Sequence, residues 1–181
     1  MSDWKLLNTT TVSSSSASVE FTSVTGYKIF KWVFINVHAS NVTVDLQGQF
    51  STNGGSSYGI AKTSTFFRAA HKMDGSAGQQ GYQTGHDVAG GTGVLPISRD
   101  IGTDNDANIN GEFYLYNPAS TTYVKHFYGT TVAAHSADNF TYNSYVGGHV
   151  DTTSAINAVK FFLSAGTIDH GIFKEYGLIA T

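Results

Sequence analysis

Alternation with a period of two is the feature that most limits what this chain can fold into. Val42, Val44 and Leu46 alternate with Thr43, Asp45 and Gln47, and Ile109, Gly111, Phe113 and Leu115 alternate with Asn110, Glu112, Tyr114 and Tyr116. Successive side chains of an extended chain point to opposite faces, so each run reads as a half-buried strand. Helical spacing is scarce. Beyond about ten residues no window keeps apolar residues at i, i+3, i+4 and i+7 without Gly, Thr or a β-branched interruption, and the short stretch Ser154–Val159 is the best helical candidate.

Residues Tyr27–Val37, YKIFKWVFINV, are apolar on both faces apart from Lys28, Lys31 and Asn36. Such a run reads as a central strand covered on both sides, or as one covered by a neighbouring subunit. Residues 17–24, 57–67, 121–132, 140–150, 156–164 and 171–179 supply further strands, and Ser51-Thr52-Asn53-Gly54-Gly55 is a hairpin signal rich in residues that tolerate positive φ. Many short strands at this spacing predict an all-β, antiparallel β-sandwich of jelly-roll type. One stretch breaks the rhythm: Arg68–Thr92, RAAHKMDGSAGQQGYQTGHDVAGGT, is read as a long Gly-rich surface loop within a single domain spanning 1–181. Val94–Ile97 after it reads as a short edge strand, where Pro96 is tolerated. At the end of the chain, Ala158–Leu163 reads as a strand, Ser164–Gly171 as a connection and Ile172–Ile179 as a last strand, apolar on both faces and therefore placed inside a sheet.

Composition excludes several function classes. Hydrophobic residues make up 40% of the chain and charged residues 13%, about half the usual share of roughly 25%, with Ser, Thr, Asn and Gly in their place. The formal net charge is −3 and the ten basic residues are scattered, so the basic footprint that nucleic-acid binding needs is missing. No apolar run approaches ~18 residues, which excludes a membrane-spanning helix. The opening MSDWKLL lacks the apolar core of a secretory signal, and the absence of Cys rules out disulfides, thiolate metal sites and Cys nucleophiles, in keeping with synthesis in a reducing compartment.

The candidates for chemistry are few. Gly55-Ser56-Ser57-Tyr58-Gly59 matches G-x-S-x-G, but an Asn-Gly-Gly turn precedes Ser57 and a strand-like run follows it, against the strand-to-helix turn that a nucleophile elbow requires. Asp104, Asp106, Asn108 and Asn110 alternate like calcium ligands, yet Ile109 and Leu115 occupy the positions where an EF-hand needs Gly and Glu; a polar turn entering a strand, or a calcium turn of another kind, fits better. The histidines at 38, 71, 86, 126, 135, 149 and 170 show no i, i+4 pairing; His149-Val150-Asp151 and His86-Asp87 come nearest, and a metal site would have to be assembled across strands. The only glutamates are Glu20, Glu112 and Glu175, poor support for a glycosidase carboxylate pair. No catalytic, cofactor or metal residue is assigned. Tyr114, Tyr116, Tyr123, Tyr128, Tyr142 and Tyr145 recur through the second half, open to three readings: packing, a subunit interface or stacking on sugar rings.

Four motifs in order carry a resemblance: Trp4-Lys5-Leu6, a serine run leading to Val19-Glu20-Phe21-Thr22, Gly54-Gly55-Ser56-Ser57-Tyr58, and Ser164-Ala165-Gly166-Thr167-Ile168 running on to Gly171, Phe173 and Tyr176-Gly177. Together they resemble a group of small bacteriophage virion proteins common in phages of aquatic bacteria. The segment 68–92 lies outside the resemblance, and Lys174-Glu175 precede Tyr176-Gly177 where an apolar residue is usual. The resemblance implies a non-enzymatic component of the virion surface without cofactors: a capsid decoration or cement protein acting as a homotrimer on other virion proteins. The alternative it leaves open is a tail-fibre domain that recognises a host-surface glycan.

Overall fold

The computed structural model describes residues 3–135 and 139–178, with His135 described by its backbone alone. Twelve strands carry the fold: β1 (Lys5–Val12), β2 (Val19–Phe21), β3 (Ile29–Ala39), β4 (Leu46–Ser51), β5 (Lys62–Lys72), β6 (Gly78–Tyr82), β7 (Leu95–Pro96), β8 (Ile109–Tyr116), β9 (Lys125–His135), β10 (Phe140–Val150), β11 (Ala158–Leu163) and β12 (Ile168–Leu178). They form two antiparallel sheets, a large one in the order β1-β12-β3-β8-β9-β10-β5-β6 and a small one in the order β2-β11-β4-β7. The expected all-β sandwich is what the chain forms. No helix occurs among the described residues, and Ser154–Asn157 is an irregular approach to β11.

The core lies between the sheets and is largely aromatic. From the large sheet come Phe30, Trp32 and Phe34 of β3, Phe113 of β8, Phe127 of β9, Phe66 of β5 and Phe173 of β12; from the small sheet come Phe21, Phe50 and Phe161. Phe161 is the hub. Its ring centroid lies 5.0 Å from Phe34, 5.7 Å from Trp32, 6.1 Å from Phe113, 6.2 Å from Phe21 and 6.3 Å from Phe173. Most of these rings meet edge to face, the arrangement that the aromatic quadrupole favours.

The central strand and the last strand behave as their sequences require. β3 runs between β12 and β8, with Phe30, Trp32 and Phe34 buried on one face and Ile29, Lys31, Val33 and Ile35 half-buried on the other. β12 lies between β1 and β3, so the apolar terminal run is indeed an internal strand. Phe173 and Gly177 face the core, and Ile172, Tyr176 and Leu178 take the opposite face as expected. Gly177 is required there because the Tyr27 ring occupies the place of any Cβ. Ile179 lies outside the described residues, and β12 begins at Ile168, so the connection is shorter than the sequence suggested.

Three expectations need correction. Val42–Gln47 is not one half-buried strand: 41–43 is a bend with Thr43 at φ 57° and Val42 57% exposed, Val44 makes only an isolated bridge to Ile101, and β4 begins at Leu46, because the chain must turn there to enter the small sheet. Ser51–Gly55 is a turn with Gly54 and Gly55 at positive φ, but it carries the chain from β4 in the small sheet to β5 in the large one and closes no hairpin. The stretch 68–92 is not one loop either. Arg68–Lys72 completes β5, and Gly78–Tyr82 returns as β6, fully exposed at the sheet edge. Beyond β6 the chain is stitched back along β5: Gln83 N–H donates to Phe66 O (2.9 Å), Ser64 N–H to Val88 O (2.8 Å) and Lys62 N–H to Gly91 O (2.9 Å). Polar contacts fasten the same segment: Asp100 forms ion pairs with both Arg68 (3.0 Å) and Arg99 (3.1 Å), and His86 Nε2 lies 3.2 Å from Asp45 Oδ2. The small sheet reaches β9, where Phe50 meets Phe127 at 5.5 Å, and Ile97, Ile101 and His86 from this segment close the side beyond it, His86 against Phe66 and the Thr131 hydroxyl donating to Ile97 O. The short strand β7 with Pro96 lies at the edge of the small sheet, as its sequence indicated.

The core sets two expectations for stability. Phe161→Ala removes the ring common to five aromatic contacts, and urea denaturation is expected to show a loss of about 3–5 kcal/mol. Glu175 points into the core opposite Trp32 and is 4% exposed. Burial pushes its carboxyl from 4.5 up to about 7, only partly offset by Trp32. The folded state thus holds the proton more tightly than the unfolded one, and stability is lost as pH rises through that range. Glu175→Gln is expected to be more stable than the parent by roughly 1–3 kcal/mol at pH 8, with the gain shrinking below pH 5.

Candidate functional site

A concave polar region lies at one end of the large sheet, where three neighbouring strands lose regular register. Pairing of β12 with β3 slips on both sides of His170, and pairing of β3 with β8 slips between Phe34 and Val37. Asn36, inside the second irregularity, sits in the left-handed region at φ 48°. Extra residues of this kind bend a strand and re-aim its side chains. The result is a cleft of about 390 Å³ lined by Asn36, His38, Asn105, Asn108, Asp169 and His170.

His38 organises the cleft. Its Nδ1 lies 2.8 Å from Asp169 Oδ1 and its Nε2 lies 3.0 Å from the Asp104 carbonyl. A carboxylate and a carbonyl can only accept, so this pair of partners favours the doubly protonated ring, in which both nitrogens donate. Burial opposes that charge, but Asp169 and the carbonyls of Asp104 and Thr103 outweigh it and raise the His38 pKa above 6.5. The Asp104–Ala107 turn is closed by Ala107 N–H donating to the same Asp104 carbonyl at 2.7 Å. Asn110 accepts from Asn36 N–H at 2.9 Å and donates to Asn108 Oδ1 at 2.6 Å. The run of Asp and Asn residues is thus a polar turn entering β8. The fold ties it to His38 and His170, a proximity that no spacing in the sequence signals.

The other candidates are dispersed. Ser57 lies in the β4–β5 connection, where its hydroxyl accepts from Asn53 Nδ2 at 2.8 Å and no strand-to-helix turn forms. His86 pairs with Asp45 and not with Asp87, which accepts from the Tyr82 hydroxyl at 2.6 Å. His149 and Asp151 do meet, at 2.8 Å, with the His126 ring 5.9 Å away on the neighbouring strand. His71 is on the exposed face of β5, and the His135 side chain lies outside the described part. Among the described residues no three His, Asp or Glu side chains gather in a metal-binding group. Glu20, Glu112 and Glu175 sit on the outside of the small sheet, the outside of the large sheet and in the core.

The tyrosines divide by strand phase. Tyr114 and Tyr128 stack at 4.6 Å on the outer face of the large sheet, with Tyr116 beside them at 6.2 Å. On the same face Tyr145 stacks on Phe67 at 4.7 Å, and Phe67 pairs across to Tyr82. Trp4, Lys31 and Tyr176 extend this face toward β1, with the Lys31 ammonium 4.7 Å from the Trp4 ring. Tyr142 takes the opposite phase, buried with the Arg68 guanidinium over its ring, and Tyr123 lies in the β8–β9 loop. Phe67, Tyr82 and Val132 belong to the outer patch too, although the sequence reading did not single them out.

No family model matches this chain, and no curated protein is similar to it. Among solved structures, one of the infectious bursal disease virus, Gt strain, aligns over 96% of this chain and 42% of the other at 12% identity, with a TM-score of 0.15. The chain spans less than half the length of the other.

The pairing of His38 with Asp169 makes a pH-dependent contribution to stability. A raised folded-state pKa means that the contribution is complete below about pH 6.5 and fades as pH rises above it. His38→Gln is expected to lower stability by about 1 kcal/mol at pH 6 and by clearly less at pH 9, read by thermal denaturation at both values.

Proposed function

We propose that this protein is a non-enzymatic structural component of a bacteriophage particle, a capsid decoration or cement protein that associates with copies of itself, as a homotrimer, and with other virion proteins such as the major capsid protein. The observation that carries the reading is the outer face of the large sheet. Phe67 (48% exposed), Tyr82 (50%), Val132 (47%) and Tyr128 (41%) stand on adjoining strands around the half-buried Tyr145 and Tyr114. The outward positions of β5 from Thr63 to His71, of β10 from Thr141 to His149 and of β9 from His126 to Val132 hold no Asp, Glu, Lys or Arg. Drying the outward rows of these three strands buries no charge of their own; the carboxylates stand at the margins, Glu112 opposite Thr130 and Asp87 on the Tyr82 hydroxyl.

Its polar atoms are already satisfied within the face. Asn143 Nδ2 donates to the Tyr145 hydroxyl at 2.8 Å, and the Thr130 hydroxyl donates to Asn143 Oδ1 at 3.3 Å. A contiguous exposed apolar patch with tyrosine at its centre is the composition of a protein interface. Beside Phe67, a shallow hollow of about 190 Å³ lined by Ala69, His71, Thr141 and Asn143 offers a seat for a projecting ring.

The strand order supports the same reading. The small sheet β2-β11-β4-β7 and the β3, β10, β5, β6 part of the large sheet exchange the chain as the two halves of a jelly roll do, with β8 and β9 inserted and β12 and β1 added outside β3. Jelly rolls are a common architecture of viral shells.

Light scattering on the purified chain is expected to give three times its 19.3 kDa mass. The double variant Phe67→Lys/Tyr128→Lys, which places charge on the outer face without touching the core, is expected to give the single-chain mass with an unchanged circular dichroism spectrum. A parent protein that remains a monomer at millimolar concentration would rule the reading out.

A further inference from the structure

We infer that the cleft at the irregular end of β3, β8 and β12 binds a neutral saccharide through its hydroxyl groups. The lining of Asn36, His38, Asn105, Asn108, Asp169 and His170 consists of amides, imidazoles and one carboxylate, with no apolar side chain and no Lys or Arg. No aliphatic or phenyl side chain lines it, so a purely apolar ligand would leave the amides and the carboxylate without partners. A phosphate or other anion would face Asp169 without an Arg or Lys to hold it. A divalent cation would find one carboxylate in the lining, with one of its oxygens already taken by His38 2.8 Å away, where hard cations need several oxygen ligands.

What remains is a ligand rich in groups that both donate and accept. A sugar hydroxyl is such a group, and side-chain amides and carboxylates are its natural partners. Asp169 Oδ1 is held by His38, so Oδ2 is the oxygen offered for a pair of neighbouring hydroxyls. Asn108 accepts from Asn110 at its oxygen, and what it offers is therefore its NH₂. Asn105 adds an exposed amide, and the His170 ring, 68% exposed, supplies a flat surface for the C–H face of a sugar. The volume of about 390 Å³ lies within the roughly 300–1,000 Å³ of small-molecule sites and exceeds what an ion requires.

The backbone is shaped to the same end. Asn36 holds a left-handed conformation at φ 48°, and Gly171 at φ 144° follows His170, with a Cβ there only 2.9 Å from the Val37 backbone. Strain of this kind, concentrated in neighbouring strands around one cleft, is characteristic of positions kept for binding. The tie from Asp169 through His38 to the Asp104 carbonyl then fixes the 104–108 turn against β12 before any ligand arrives.

The inference is independent of self-association, since a trimer without sugar binding and a sugar-binding monomer would each separate the two. The test is a ¹H–¹⁵N correlation titration of the full chain with glucose, galactose, mannose, rhamnose, N-acetylglucosamine and N-acetylgalactosamine, alongside calcium chloride and inorganic phosphate. At least one sugar is expected to shift the side-chain amides of Asn36, Asn105 and Asn108 with a dissociation constant in the range of about 1 mM. Asn105→Ala and His170→Ala, both at exposed side chains, are expected to weaken that binding by about tenfold or more while leaving backbone resonances away from the cleft unchanged. Absence of any cleft shift at ~50 mM sugar, a response to calcium or phosphate instead, shifts centred on the outer tyrosines, or binding indifferent to both variants would each overturn the inference.

Discussion

The contact between the Phe161 ring and the aromatic face of the large sheet is the interaction on which the rest of the molecule depends. A sheet with one apolar face is not stable by itself; it must bury that face against a second layer. Here the second layer is only four strands wide, and the ring at its centre touches Trp32 and Phe34 of β3, Phe113 of β8 and Phe173 of β12. These three strands are consecutive in the large sheet but come from three distant parts of the chain. Their packing against one ring fixes their relative height, and hence the register of the sheet on both sides.

The mismatch in width between the sheets has a structural cost that the segment 83–101 meets. Beyond the reach of the small sheet, Phe66 would be left open, and no strand is available to cover it. An irregular segment can take that place only if its own backbone groups are satisfied. The bonds to Lys62, Ser64 and Phe66 supply this, and the cluster of Asp45, Asp100, Arg68, Arg99 and His86 holds the segment down. Burial lowers the pKa of His86, reinforced by Arg99, so its ring sits neutral against Phe66 as a packing group. Lys62, fully buried and donating to the Gly93 carbonyl, serves the same segment, its pKa drawn down to about 8 by burial.

Some of the strands were legible in the sequence, but the alternation at Val42–Gln47 misled, since a bend at 41–43 leaves Val42 exposed and only Leu46 onward is strand. Phe140–Val150 and Ala158–Leu163 have the bounds that their residues indicate, because each packs one regular face on the core. Even the odd tyrosine had a signal: Tyr142 shares parity with Val146 and Val150, whereas Tyr145 does not, and the former is buried while the latter faces out. The hairpin of β5 and β6 was not legible. GQQGY is exposed at every position; apart from the Tyr82 hydroxyl on Asp87 it is held by backbone pairing with β5, which leaves no hydrophobic pattern. The cleft was hidden for another reason, because His38 and Asp169 are 131 positions apart and meet only through the pairing of β3 with β12. The Asp/Asn turn was visible as a polar entry to a strand, but nothing in its spacing identified a histidine as its partner.

The two surface features are placed where they do not compete. The aromatic outer face centres on β5, β10, β9 and β8, and the cleft lies where β3, β8 and β12 leave the regular ladder at one end. An interface that buries the face of a sheet needs flat, regular strands, because a bulge would break the match between rows of side chains. A cleft needs the opposite, since regular strands present side chains at fixed spacing to both sides and cannot converge them. Regular pairing over all eleven residues of β10 with β9 and with β5, against three register slips gathered near Asn36 and His170 and one at Leu6/Asn8 on the edge strand β1, meets both demands in one sheet. Tyrosine suits the regular part for a further reason: its ring supplies apolar area, and its hydroxyl keeps the face hydrated until a partner arrives. A leucine in the same position would give the area without that reserve, and the free chain would then carry the aggregation hazard of an exposed apolar sheet.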